Sequence, residues 1–317
     1  MQKFIYSLLI LTALSLSACS DETPEAKDST AIEPAASEEK MPAMESTEKN
    51  VAGFELLWET SGLNNPESVI YHESSDVLFV SNINGSGVDK DGNGYISKIL
   101  LDGTMLSKQW VIGLNAPKGL AIHNNTLYVA DIDTLVVIDI PSGTISSTYK
   151  VDDAKFLNDV AATKDGKVFV SDMLTNRIHI LENDEFSIWL EGPDLEAPNG
   201  LLVEGDNLIL GAWGVMTDGF ATEIPGHLKT ISLKDKSITS LGGTPIGNMD
   251  GVESDGQDGY YVTDWMVGKL YQINKAGDAK LLMELVQGMA DLEVLLDQNM
   301  ILLPMMMTDK LLVYKIK

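Results

Sequence analysis

The chain has 317 residues, 44% of them hydrophobic, and its 22 Lys and Arg against 47 Asp and Glu leave a formal net charge of −25 at pH 7. That length and apolar content allow one large folded domain or two ordinary ones. The charge excludes nucleic acid, whose phosphates need clustered Lys and Arg, and it suits a cation instead.

At the N-terminus, Lys3 precedes an apolar stretch from Phe4 to Leu16 that is short for a bilayer span. Leu16-Ser17-Ala18-Cys19 resembles a bacterial lipobox, and Cys19 is the single cysteine of the chain, so an intramolecular disulfide and a Cys-based metal site are both ruled out. The resemblance implies that residues 1–18 are a signal peptide and that Cys19 is lipidated, so that the protein meets the membrane through its lipid anchor alone. Ser20 rather than Asp follows the cysteine, which by similarity to enterobacterial sorting implies the outer membrane, facing the periplasm. Residues 19–50 are rich in Asp, Glu, Ala, Pro, Ser and Thr and hold no aromatic residue, the composition of a disordered acidic tether.

Residues 51–317 repeat. A short motif recurs as Pro66-Glu67-Ser68-Val69, Pro117-Lys118-Gly119-Leu120, Leu157-Asn158-Asp159-Val160, Pro198-Asn199-Gly200-Leu201, Met249-Asp250-Gly251-Val252 and Ala290-Asp291-Leu292-Glu293, at spacings of 51, 40, 41, 51 and 41 residues. Each motif is expected to open a strand. About ten residues later comes a second strand, such as Val77-Leu78-Phe79-Val80 or Gly259-Tyr260-Tyr261-Val262, then a third and, in most repeats, a fourth. Four strands every 40 to 50 residues predict an all-β fold, a six-bladed β-propeller. The sixth repeat lacks a fourth strand, and Phe54 to Trp58 is expected to supply it and close the ring.

The innermost strands of a propeller line its axis, so the second residues of the six motifs fall on one ring: Glu67, Lys118, Asn158, Asn199, Asp250 and Asp291. All six are polar or charged where a packed core would place Val or Leu, and buried charge needs compensation. Calcium takes oxygen ligands from carboxylates and amides. Glu67, Asn158, Asn199 and Asp250 offer two of each, leaving Lys118 and Asp291 to pair. The ring holds no His or Cys, which argues against zinc or copper. A metal-free network, with Lys118 bridging Glu67 and Asp291, is the alternative.

These residues resemble the calcium site of the senescence-marker-protein/gluconolactonase (regucalcin-like) family, whose relatives include paraoxonases and squid-type diisopropylfluorophosphatase. The resemblance spans Val51 to Lys317 and is carried by Asn158-Asp159, Pro198-Asn199-Gly200 and Asp250-Gly251-Val252. It implies calcium, or another divalent cation, and hydrolysis of lactones or small esters. In that setting Asp250 is the expected catalytic base or water activator, and Asp159 orients Asn158. Lys118 departs from the family pattern and is expected either to contact a substrate carboxylate or hydroxyl or to weaken the metal site.

Other features are weighed against packing. Asp89 to Gly94 mimics half an EF-hand loop, but Leu100 stands where a bidentate Glu is needed, so a turn built on Asx bonds is expected. A long loop from Trp213 to His227 and the residue Trp265 are candidate walls of a substrate site, with His227 the one histidine expected near the ring face. His72 and His123 are placed on the opposite face, and the Met305-Met306-Met307 run reads as core and rim packing. Neither a Walker motif nor a Rossmann glycine fingerprint is present, so nucleotide is excluded as a ligand. Two functions remain: a calcium-dependent hydrolase acting on a small molecule, and a non-catalytic propeller that binds a protein, peptide or glycan around a structural ion.

Overall fold

The computed structural model describes residues 50–151 and 153–317. The expected signal peptide, Cys19 and all but the last residue of the expected tether therefore lie outside the described residues. Among the described residues, no helix is long and apolar enough to cross a membrane.

Six antiparallel sheets form blades that follow one another along the chain, besides a two-stranded hairpin; five blades are four-stranded, with innermost strands Pro66–His72, Pro117–His123, Leu157–Ala162, Pro198–Glu204 and Met249–Ser254. The sixth is built from Glu293–Leu295, Met300–Met305 and Lys310–Ile316, completed by Phe54–Ser61 from the other end of the propeller. Phe54 pairs with Ile316 and Ser61 with Lys310, so the two ends of the propeller share one blade, as expected.

The second strands read as unbroken apolar runs because both of their faces are buried. Within Val77–Asn82, Val77 and Phe79 pack toward the second blade, while Leu78 and Val80 pack toward the sixth. Neighbouring side chains point to opposite faces of a strand, so one run serves two seams. Six apolar clusters accordingly lie one at each seam between blades, and two smaller ones sit around Phe156 and Trp213 and around Ile83 and Ile132.

The recurring motif has a structural cause. In all five long innermost strands the pairing register shifts just after the first residue, for instance between Pro66 and Val69 and between Pro198 and Leu201. Two residues per blade thus leave the ladder, as at a β-bulge. Their freed backbone N–H groups find other acceptors: Ser68 N donates to Ser81 Oγ at 2.9 Å, Asp159 N to Ser171 Oγ at 2.9 Å and Gly251 N to Thr263 Oγ1 at 2.8 Å. In three of the five strands the second of the two residues is glycine, because the next blade passes directly against it. A Cβ at Gly200 would lie 2.0 Å from Asp250 O, and one at Gly119 would lie 2.4 Å from the Asp159 Cα.

The sixth motif departs from expectation. Ala290-Asp291-Leu292 precedes its short strand rather than opening it, and Asp291 forms a parallel bridge to Ser68 of the first blade. Asp291 N donates to Glu67 O at 2.9 Å, and Ser68 Oγ donates to Asp291 Oδ2 at 2.6 Å. The sixth repeat thus spends its ring residue on closing the hub.

Gly200→Ala is expected to destabilise the protein by about 1–3 kcal/mol, the usual cost of overpacking, because backbone rather than a flexible side chain blocks the added methyl. Urea unfolding followed by circular dichroism checks this against the unaltered chain.

Candidate active site

A cavity of about 250 Å³ opens on the ring face. Its floor carries Glu67, Lys118, Asn158, Asn199 and Asp250, brought together from the first five blades. The sixth ring member, Asp291, is not part of its lining.

Each floor residue is at least nine-tenths buried. Asn158 Nδ2 donates to Asn199 Oδ1, and Asn199 Nδ2 donates to Met249 O at 3.0 Å with Asp250 Oδ1 at 3.5 Å. Two floor oxygens, Glu67 Oε2 and Asn158 Oδ1, are buried without a hydrogen-bond partner. Burial, reinforced by Asp250 and Asp291, raises the Glu67 carboxyl well above its ordinary range. Burial and the nearby charges of Asp291 and Asp264 do the same to Asp250. Two raised carboxylates, one of them with an unmet oxygen, beside an unmet amide oxygen form a site short of positive charge. Glu67, Asn158, Asn199 and Asp250 are the groups that would accept a cation. Among the described residues, no cluster of three or more His, Cys, Asp or Glu side chains is suited to a metal, so an ion here must take amide oxygens with its two carboxylates.

Lys118 does not bridge Glu67 and Asp291. Its Nζ donates to Ala116 O at 2.9 Å and lies 4.4 Å from the centre of the Phe156 ring. Burial pushes the Lys118 amine down to about 8, against the opposing pull of Glu67 and Asp131. Phe156 is held in place by Asp172, whose carboxylate accepts from Lys155 N and Phe156 N at 3.0 Å each.

Asp159 faces away from the cavity. It accepts from Val160 N at 2.7 Å and, across the seam to the next blade, from Leu201 N at 2.6 Å, so it braces blades three and four beside Asn158 rather than touching the Asn158 amide. His227 does not line the cavity either. The chain turns back at Gly214–Asp218 and Ala221–Pro225 as a hairpin, and His227 Nδ1 lies 2.9 Å from Glu196 Oε2, where Lys229 also pairs. The Asp89–Gly94 segment makes the expected Asx turn, with Asn93 N donating to Asp91 Oδ1 at 3.2 Å.

Trp213 and Trp265 do line the cavity, 6.1 Å apart between ring centres. They belong to a series that went unread in the sequence. The residue after the second strand lines the wall in five blades: Ile83, Met173, Trp213, Trp265 and Met306. Their shared place, one residue beyond each second strand, was the available signal. Phe156, just before the third motif, and Phe220, at the hairpin tip, complete the aromatic wall.

No family model and no curated protein matches the chain. Solved structures do. A gluconolactonase from Xanthomonas campestris is 12% identical at a TM-score of 0.61, covering 83% of this chain and 89% of its own. A streptogramin B lyase is 12% identical at 0.57, with 83% and 98% covered. A virginiamycin B lyase from Staphylococcus aureus, solved with quinupristin, is 13% identical at 0.56, with 83% and 100% covered. What this chain shares with them is the fold, a six-bladed β-propeller.

Burial raises Asp291 to about 7 from an ordinary 3.8, although Ser68 and the Leu292 backbone oppose the shift. The folded state therefore binds a proton that the unfolded chain has already released between those values, and stability falls as pH rises from about 4 to 7. Thermal melts of chelator-treated protein are expected to show this decline, and Asp291→Asn is expected to flatten it.

Proposed function

We propose that this cavity hydrolyses lactones or small esters with the help of a divalent cation, calcium by the chemistry of its donors, held by Glu67, Asn158, Asn199 and Asp250. The observation that carries the reading is the pair of unpartnered buried oxygens, Glu67 Oε2 and Asn158 Oδ1, on the floor of an open cavity. A hard cation satisfies such oxygens, whereas an empty dry floor leaves them costly. When bound, the ion polarises a substrate carbonyl and favours the charged form of the carboxylates around it.

The chain's own groups divide the remaining work. Asp250 accepts a proton from the water that attacks the carbonyl carbon. The bond from that carbon to the alkoxy oxygen then breaks, the proton passes to the departing oxygen, and a hydroxy acid is left from a lactone. Lys118 uses one N–H on Ala116 O and retains others for the negative charge that develops on oxygen. Asn199, anchored on Met249 O, holds the approach to Asp250. The gluconolactonase neighbour is in keeping with this reaction class, and the lipobox-like segment at Cys19 supports a lipid-anchored enzyme facing the periplasm. The open mouth over a buried, titratable floor favours the hydrolase over a purely binding propeller, whose hub has no need of access.

Calcium added to chelator-treated protein is expected to restore hydrolysis of a panel of small lactones. Asp250→Ala and Asn199→Ala are each expected to lower kcat/KM by about 100-fold or more. Wild-type activity and metal content in both variants would show that the site lies elsewhere.

A further inference from the structure

The cavity has a polar floor and an apolar wall. Its two indole N–H groups are turned to the protein's own acceptors: Trp213 Nε1 donates to Phe220 O at 2.9 Å, and Trp265 Nε1 lies 3.4 Å from Met306 Sδ. The wall therefore offers ring faces and methyl groups, with Ser86 its single hydroxyl. A polyhydroxylated substrate would bury several hydroxyls here without partners, at a cost that the floor cannot recover. The mouth is apolar as well. Val88, Phe220 and Met266 line the cavity yet remain 49%, 40% and 38% exposed. The hairpin that carries Phe220 also leaves Val215 and Ile224 open to solvent, paired with one another.

We propose that the substrate is a lactone or ester carrying an extended apolar group, aliphatic or aromatic, which runs from the floor along Trp213, Trp265 and Phe220 to the mouth. A sugar lactone, with its many hydroxyls, is the wrong chemistry for this wall. The proposal rests on the hydrolase reading for its ester bond and on the wall for the rest. The carbonyl sits over Glu67, Asn158, Asn199 and Asp250, and the tail displaces water from the aromatic faces. Each methylene so buried is expected to raise kcat/KM roughly three- to fourfold until the tail passes the rim.

Steady-state hydrolysis by the calcium-loaded protein is compared for δ-hexalactone, δ-decalactone and glucono-δ-lactone. A kcat/KM for δ-decalactone at least about 30-fold above that for δ-hexalactone is expected from the added methylenes, with glucono-δ-lactone the poorest of the three. Phe220→Ala is expected to lower the decalactone-to-hexalactone ratio. Equal rates on the two alkyl lactones, or preference for glucono-δ-lactone, would overturn the proposal and leave the hydrolase reading standing. If no lactone is hydrolysed, the hydrolase reading fails, and the wall is judged by calorimetric binding of the matching δ-lactams. Tail-dependent affinity keeps the apolar site, and tail-independent affinity or no binding overturns it.

Discussion

Six innermost strands converge on one axis, and in the long ones that convergence forces the backbone out of regular pairing. Where each strand begins, two residues leave the ladder. The first turns its side chain toward the axis, and the second lies so close to the next blade that a Cβ is tolerated only where the neighbour makes room. The freed N–H groups must then be met from elsewhere, which is why Ser81, Ser171 and Thr263 stand near the ends of second strands. Both the ring of polar residues and the closeness of the blades follow from this arrangement.

The hub gathers negative charge, and hydrogen-bond donors sort it. Asp159 receives two backbone N–H groups and Asp291 receives the Ser68 hydroxyl, so both serve as struts between blades. Glu67 keeps an unpaired oxygen, and Asp250 meets only the edge of the Asn199 amide described above. These two face the cavity. The carboxylates of one hub thus differ in the donors within reach, because an ionised oxygen in a dry hub persists only when something positive meets it. Lys118 is the exception among the floor groups, a cation resting on an aromatic face and a carbonyl rather than on a carboxylate.

The wall was partly legible. Trp213 and Trp265 stood out as aromatics, and both line the cavity. Ile83, Met173 and Met306 occupy the same place in their own blades but look like ordinary core residues in a linear reading. Only their common offset, one residue beyond each second strand, marks them as a second ring above the first. His227 misled in the opposite direction: it lies in the segment that builds the wall, yet the hairpin turns it to Glu196 and away from the floor.

The repeat, the closure of the ring by the strand that begins at Phe54 and the identity of the ring residues could be read from the chain alone. Each depends on periodicity, and periodicity survives in one dimension. The tertiary structure decided who meets whom across the blade seams: Lys118 with Phe156, Asp159 with Leu201, Asp291 with Ser68. Those pairings depend on where the twist of each blade sets down its neighbour's backbone, to within the length of a hydrogen bond, and no spacing along the chain carries that information.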